Sequence, residues 1–269
     1  MIDVTRRRFV TGGALALAWA LPAPRRASAQ SASAGPANAQ LIEDLVAANR
    51  ILVDQGVVDG YGHVSARHDR DPNRFLMSRS LAPELVTAAD IMEYDLDGEP
   101  VDPRGRTSYL ERFIHSEIYR ARPEIRAVVH NHSPSMIPFG ATGVPLRPLY
   151  HMSAFLADGV PVWDIRAAAG DTDMLVRTPA LARALAQALG TRAVVLMRGH
   201  GAAVVGTGLP QAVFRSVYTE VNARLQAQAM ALGGTVTYLS TEEARRAEAS
   251  IGGTLGRPWE LWKRKALSR

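Results

Sequence analysis

Apolar side chains at Leu41, Leu45, Val46, Ile51 and Leu52 recur at the spacing of one helical face, which predicts a helix over 40–55. The period then shortens. His63–Arg67, Arg74–Met77 and Ile91–Tyr94 are short runs with strand character, and Asp97-Gly98 marks a hairpin turn after the third. A second helical stripe, Leu110, Phe113, Ile114 and Ile118, lies within Ser108–Arg122 and is closed by Pro123. Ile125–His132 reads as a strand, and Ala193–Met197 and Ala202–Val205 read as two more, flanking Arg198-Gly199-His200-Gly201. A long helix starts near Pro210, a favoured first-turn residue, and stops at Gly233-Gly234. Strands occur singly between helices and in hairpins, so an α/β fold with a mixed sheet covered by helices is expected.

Two stretches fall outside this pattern. Residues 1–29 run from charged (Arg6-Arg7-Arg8, then Phe9) to apolar (Ala14–Leu21) to small (Ala27-Ser28-Ala29), the order of a secretory signal peptide with an A-x-A cleavage site. The arginine run resembles a twin-arginine export signal, which implies a periplasmic protein with no membrane anchor after cleavage. Residues 30–39, rich in Ser, Ala, Gly and Pro, read as a flexible linker, and residues 241–269 as a tail that covers the site or a subunit interface.

Charge changes meaning once the signal is set apart. Its five arginines and one aspartate account for most of the net charge of +5, leaving the mature chain near +1. No basic surface for nucleic acid is implied. The 269 residues, 47% hydrophobic, suffice for a sizeable core without disulfides. With no cysteine in the sequence, thiolate nucleophiles and thiolate metal ligands are excluded, and any metal must sit on His, Asp or Glu.

His130 and His132 are two apart on a predicted strand, so both rings project from one face together with Val128, while Asn131 faces the other way. Such a pair is pre-spaced for a divalent metal, though alone it fits a hydrogen-bonded surface pair equally well. His200, between Gly199 and Gly201 directly after a strand, is the candidate third ligand. Glu111 completes Ser108-x-x-Glu111, a capping-box pattern; burial beside a metal would give it proton-transfer work instead.

Four separated segments, Gly62-His63-Val64-Ser65-Ala66-Arg67, Glu111-Arg112-Phe113-Ile114-His115, Arg122-Pro123 with Ala127–His132, and His200-Gly201, resemble the class II aldolase/adducin family in order and spacing over residues 40–240. The resemblance implies a single three-layer α/β/α domain with a mixed, largely antiparallel central sheet. It implies a divalent metal, Zn or Mn, on His130, His132 and His200, with Glu111 as acid/base. A homotetramer is implied too, in which a neighbouring subunit supplies a proton donor at Tyr150 or His151.

Departures from the phosphate-binding aldolases narrow the substrate. His63 stands where they have Asn, Arg79-Ser80 near their Thr-Gly pair, and Tyr109-Leu110 where they have Ser-Ser. Arg79 and His63, with Ser80 and Asn131 beside them, become candidates for binding a carboxylate, although Arg79 also fits a solvated loop. These changes, with the tail Pro258-Trp259-Glu260-Leu261-Trp262, resemble a branch that decarboxylates hydroxylated aromatic or pyridine dicarboxylates; the tryptophans also fit interface packing. Breaking a C–C bond leaves an electron pair that must spread onto a neighbouring oxygen, where a divalent metal acts as Lewis acid on the resulting enolate. The expected function is therefore a metal-dependent C–C lyase acting on a small carboxylate. An aldolase for a non-phosphorylated hydroxy acid is the alternative, and a non-catalytic adducin-like module the third reading.

Overall fold

A computed structural model describes residue 1 and residues 32–268, so the expected signal peptide lies outside the described residues. Seven strands form one sheet: β1 (His63–Arg67), β2 (Arg74–Ser78), β3 (Ile91–Asp95), β4 (Ala127–Asn131), β5 (Val162–Trp163), β6 (Val194–Met197) and β7 (Gly201–Gly206). Their order is β3-β2-β1-β4-β7-β6-β5, antiparallel throughout except for the parallel pair β5–β6. The mixed, largely antiparallel sheet expected from the family resemblance is the sheet observed.

Helices follow in chain order: α1 (Ala39–Asp54), α2 (Arg112–Ala121), α3 (Ile137–Thr142), α4 (Arg166–Ala169), α5 (Pro179–Leu189), α6 (Leu209–Ala231), α7 (Thr241–Gly252) and α8 (Gly256–Leu267). Alternation along each strand divides the core between the two faces of the sheet. Val64, Ala66, Val129, Ala202 and Val204 pack with α1, α6 and α8, whereas Phe75, Val128, Val195, Ala203 and Val205 pack with α2 and α5. His130 shares Val128's face, so it points towards the layer in which α2 begins.

Several boundaries differ from the periodic reading. The second helix starts at Arg112 rather than Ser108. Residues 107–110 are held out of it, because Thr107 O accepts from Ser80 N at 2.7 Å and the Tyr109 hydroxyl donates to Leu81 O at 2.5 Å. The capping box at Ser108 does not form: Ser108 Oγ accepts from the Tyr94 hydroxyl at 3.0 Å, and the Glu111 carboxylate makes no cap bond. Helix α5 falls outside the periodic reading, although Thr178 capping Leu181 N, Pro179 in the first turn and Gly190 at the end are local signals for it.

Residues 32–38, read as part of a flexible linker, are tied down instead. Ala34 N donates to Glu93 Oε1 at 2.9 Å, and Arg74 Nη2 donates to Ala32 O at 2.8 Å. The C-terminal segment consists of two helices, α7 and α8. Its Trp259 and Trp262 are buried in their own chain's core, and Lys263 Nζ reaches Asp44 at 2.7 Å on α1. Packing against α1 and α6 accounts for the burial of both tryptophans. No helix among the described residues is long and apolar enough to cross a membrane.

Candidate metal centre

At the end of β4 the chain must turn sharply beside the β6–β7 hairpin. Gly199 adopts φ 63°, a left-handed conformation that costs other residues about 1–2 kcal/mol. Gly201 lies so close to β4 that a Cβ there would collide with the carbonyl oxygen of Asn131. These two glycines bring His200, from the hairpin, against the His130–His132 pair.

His130 Nε2 lies 3.2 Å from His132 Nε2, and His200 Nε2 lies 3.0 Å from the same atom. Glu111 Oε2 is 3.3 Å from His130 Nε2 and 3.5 Å from His200 Nε2. Four side chains from three parts of the sequence thus present one ligand atom each, all within 4.8 Å of one another.

The outer atoms of the cluster are fixed by backbone. His130 Nδ1 donates to Ala202 O at 3.1 Å, and His200 Nδ1 donates to Met174 O at 2.9 Å. A carbonyl can only accept, so each Nδ1 carries a proton and each ring turns its Nε2 inwards, where a metal would take the lone pair. Glu111 Oε1 accepts from Val176 N at 2.8 Å, which aims Oε2 at the imidazoles. One loop, residues 174–176, therefore orients both His200 and Glu111. Met174 is in the left-handed region (φ 68°) without being glycine, a sign of backbone held in place by its surroundings.

The electrostatics follow from burial and proximity. Burial, then the neighbouring imidazoles, pushes His132 down to about 4. Burial would raise the Glu111 carboxyl, but His130 and His200 outweigh it and hold it well below the usual carboxylate range. Burial works against protonation of His200, and the Glu111 carboxylate overcomes it, leaving that ring above its ordinary value.

The donor set fits a divalent cation. A metal bonded at about 2.0–2.1 Å to three imidazoles holds their nitrogens roughly 3 Å apart, and the observed separations are 3.0 and 3.2 Å. Nitrogen and carboxylate donors suit zinc or manganese, and the backbone partners of Nδ1 are what such ligands require.

A cavity of about 320 Å³ opens above the cluster. His63, Ser80, Glu111, His130 and His132 line it, with Tyr61, Leu81, Tyr109, Leu110 and Leu175 as its apolar wall. Of these, Tyr61, Leu81 and Leu175 carry no local signal, because each sits in a loop whose course is set by the fold.

Four expected site residues, Arg79 and Asn131 as substrate contacts and Tyr150 and His151 as proton donors, stand apart from this cavity within one chain. Arg79 does not line the cavity: its Nε donates to Asp90 Oδ1 at 2.6 Å. Asn131 does not either, since it lies on the opposite strand face, fully buried, with Oδ1 accepting from Ser133 N at 3.1 Å. Tyr150 packs near Tyr218, and His151 lines a separate small pocket with Phe214, Arg215 and Glu248. Within one chain neither Tyr150 nor His151 reaches the metal cluster's cavity.

Comparison with known proteins bears on this arrangement. Residues 43–227 match the sequence model described as the class II aldolase and adducin N-terminal domain. Decarboxylase tropJ of Talaromyces stipitatus is 37% identical over 247 residues, covering 83% of this chain and 93% of that protein. A 3,4-dihydroxyphthalate decarboxylase of Arthrobacter keyseri is 33% identical over 211 residues, covering 72% of this chain and 80% of the relative. Among solved structures, an L-fuculose 1-phosphate aldolase from Glaciozyma antarctica superposes with a TM-score of 0.71 at 25% identity, covering 86% of this chain and 93% of the aldolase.

Proposed function

The chain belongs to the class II aldolase and adducin family, and on that premise we propose that it is a divalent-metal-dependent lyase that decarboxylates a hydroxylated aromatic or heteroaromatic carboxylic acid. The observation that carries this reading is the convergence of three imidazole Nε2 atoms and Glu111 Oε2 beneath a cavity walled by Tyr61, Tyr109, Leu81, Leu110 and Leu175. The similarity to two decarboxylases supports the reaction type.

His130, His132 and His200 would hold the metal, which when bound supplies a Lewis acid for the substrate oxygen next to the breaking bond. The chain's own residues do the rest. Tyr109 and Leu110 offer an apolar wall that suits a planar ring. With Oε1 pinned by Val176 N, Glu111 Oε2 takes the proton of the substrate hydroxyl and returns it to the ring carbon as CO2 departs. The resulting phenolate regains a proton from solvent, which balances the reaction.

A homotetramer in which a neighbouring subunit brings Tyr150 or His151 to this cavity is part of the proposal, in keeping with their distance from it within one chain. Export to the periplasm is supported by the order of Arg6–Arg8, the apolar run and Ala27–Ala29. The reaction is tested by incubating the metal-loaded protein with a panel of dihydroxybenzoates and hydroxyphthalates and measuring CO2. Release of CO2 with the matching phenol supports the reading; an aldehyde or pyruvate from hydroxy-acid substrates, without CO2, replaces it with retro-aldol cleavage.

A further inference from the structure

His63 sits opposite His130 across β1 and β4, with ring centroids 5.1 Å apart, and lines the cavity. Its Nδ1 faces away from the cavity, 2.7 Å from His115 Nε2. His115 Nδ1 lies 2.6 Å from Ser65 Oγ, and Ser65 Oγ lies 2.8 Å from the Tyr119 hydroxyl. All four side chains are buried. The chain of contacts can form because His63 and Ser65 share one face of β1, and His115 and Tyr119 are one turn apart on α2.

Such a chain has a direction. A phenol is a stronger acid than an alkyl hydroxyl, so Tyr119 donates to Ser65. The Val128 backbone N–H also acts on the phenol oxygen, leaving the phenol's own proton for Ser65. Ser65 then donates to His115 Nδ1, and His115 keeps its proton on Nε2 and donates to His63 Nδ1. The proton of His63 is left on Nε2, for the cavity. Burial favours the neutral form of both rings.

The cavity has a need for such a donor. Among the described residues lining it, none is lysine or arginine. Arg79, the cation expected there, is paired with Asp90.

We propose that Tyr119, Ser65 and His115 are positioning residues that lock His63 as its neutral Nε2–H tautomer, making His63 the hydrogen-bond donor that recognises an anionic oxygen of the substrate. That the substrate is an anion rests on the lyase reading, whereas the tautomer of His63 does not.

Both parts are tested with ¹⁵N-histidine-labelled full-length protein, as purified and zinc-loaded, using His63→Gln to assign the signal. Two-bond ¹H–¹⁵N correlation spectra at neutral pH should show His63 protonated at Nε2 alone; a proton at Nδ1 overturns the proposal. Ser65→Ala should shift His63 away from that tautomer and weaken calorimetric binding of 2,3-dihydroxybenzoate roughly tenfold, the loss of about one charge-assisted hydrogen bond. Bound zinc should stay at its wild-type level, and Ser65→Thr should restore both signals. Wild-type tautomer and affinity in Ser65→Ala, or an affinity loss that merely follows zinc loss, overturns the positioning role. Should 2,3-dihydroxybenzoate fail to bind even the wild type, that counts against the lyase reading, and the spectra alone decide the tautomer.

Discussion

The carbonyl oxygen of Met174 accepts the Nδ1 proton of His200 at 2.9 Å, from a residue whose backbone is itself in the left-handed region. The partners are 26 positions apart, and neither is regular secondary structure at the contact. Two residues further on, Val176 N fixes Glu111. His200 and Glu111 are thus both held by backbone groups of one irregular loop, and changes that move this backbone should act on the site as strongly as changes to the ligands.

The two glycines beside His200 separate these effects. Gly199→Ala should cost about 1–2 kcal/mol from its positive φ. Its Cβ would meet only the flexible end of Met174, at 3.2 Å. Gly201→Ala drives a Cβ into the Asn131 backbone, and so should lose bound metal as well as stability. Urea unfolding with elemental analysis of both variants checks this; equal metal retention in the two would show that the β4–β7 approach does not set the site.

Removing the metal should be reversible and visible in stability. Chelation is expected to abolish turnover and lower the melting temperature, with Zn or Mn restoring both. A ligand present at a thousand times its Kd contributes about 4 kcal/mol to the folded state. His130→Ala should match the chelated protein and no longer respond to added metal, read by calorimetry and elemental analysis.

Glu111→Gln keeps an acceptor for Val176 N but cannot carry a proton to carbon. Turnover should fall by roughly 10²–10⁴-fold with metal content unchanged. Steady-state kinetics with elemental analysis reads this, and a drop confined to KM would move Glu111 from proton transfer to binding.

Acid should destabilise the metal-free protein through His115. Burial, then His130, pushes this ring down to about 3, from an ordinary value of 6.5. Between those values the unfolded chain binds the proton and the folded one does not. Stability is therefore full above about pH 6.5 and falls as pH is lowered towards 3, by about 1.4 kcal/mol per pH unit for one proton. His115→Gln should make the pH dependence shallower in that window, measured by denaturant unfolding at a series of pH values.

Trp262 separates core from lid. It is buried between α8 and the α1–α6 layer, 6.1 Å from the Tyr218 ring. Trp262→Ala should cost about 3–5 kcal/mol of stability, with KM unchanged at a temperature where the variant is folded. A raised KM with little loss of stability would instead put α8 over the active site.

Much of this was legible along the chain, because the signals are local. Periodicity located α1 and β1 to β4 closely, since alternation and helical spacing follow from the geometry of one element. His130 and His132 could be read as a pair because two residues on a strand must share a face. His115 and Tyr119, one helical turn apart, carry an equally local signal.

Other features depend on what distant segments do. Ser108-x-x-Glu111 has the letters of a capping box, yet contacts from Ser80, Leu81 and Tyr94 hold residues 107–110 away from the helix and turn Glu111 inwards. Arg79 has the chemistry of an anion binder, yet Asp90, eleven residues away, pairs with it.

By itself, then, the sequence determined α1, α6 and the strands β1 to β4, β6 and β7, the absence of thiolate chemistry and which imidazoles were available as ligands. Only the tertiary structure decided that Glu111 faces those imidazoles, that His63 rather than Arg79 borders the cavity, and that Met174 and Val176 hold the cluster in place. The reason is physical: periodicity reports the face a side chain takes on its own element, whereas a site is made by backbone groups and charges from elements that meet only when the core closes.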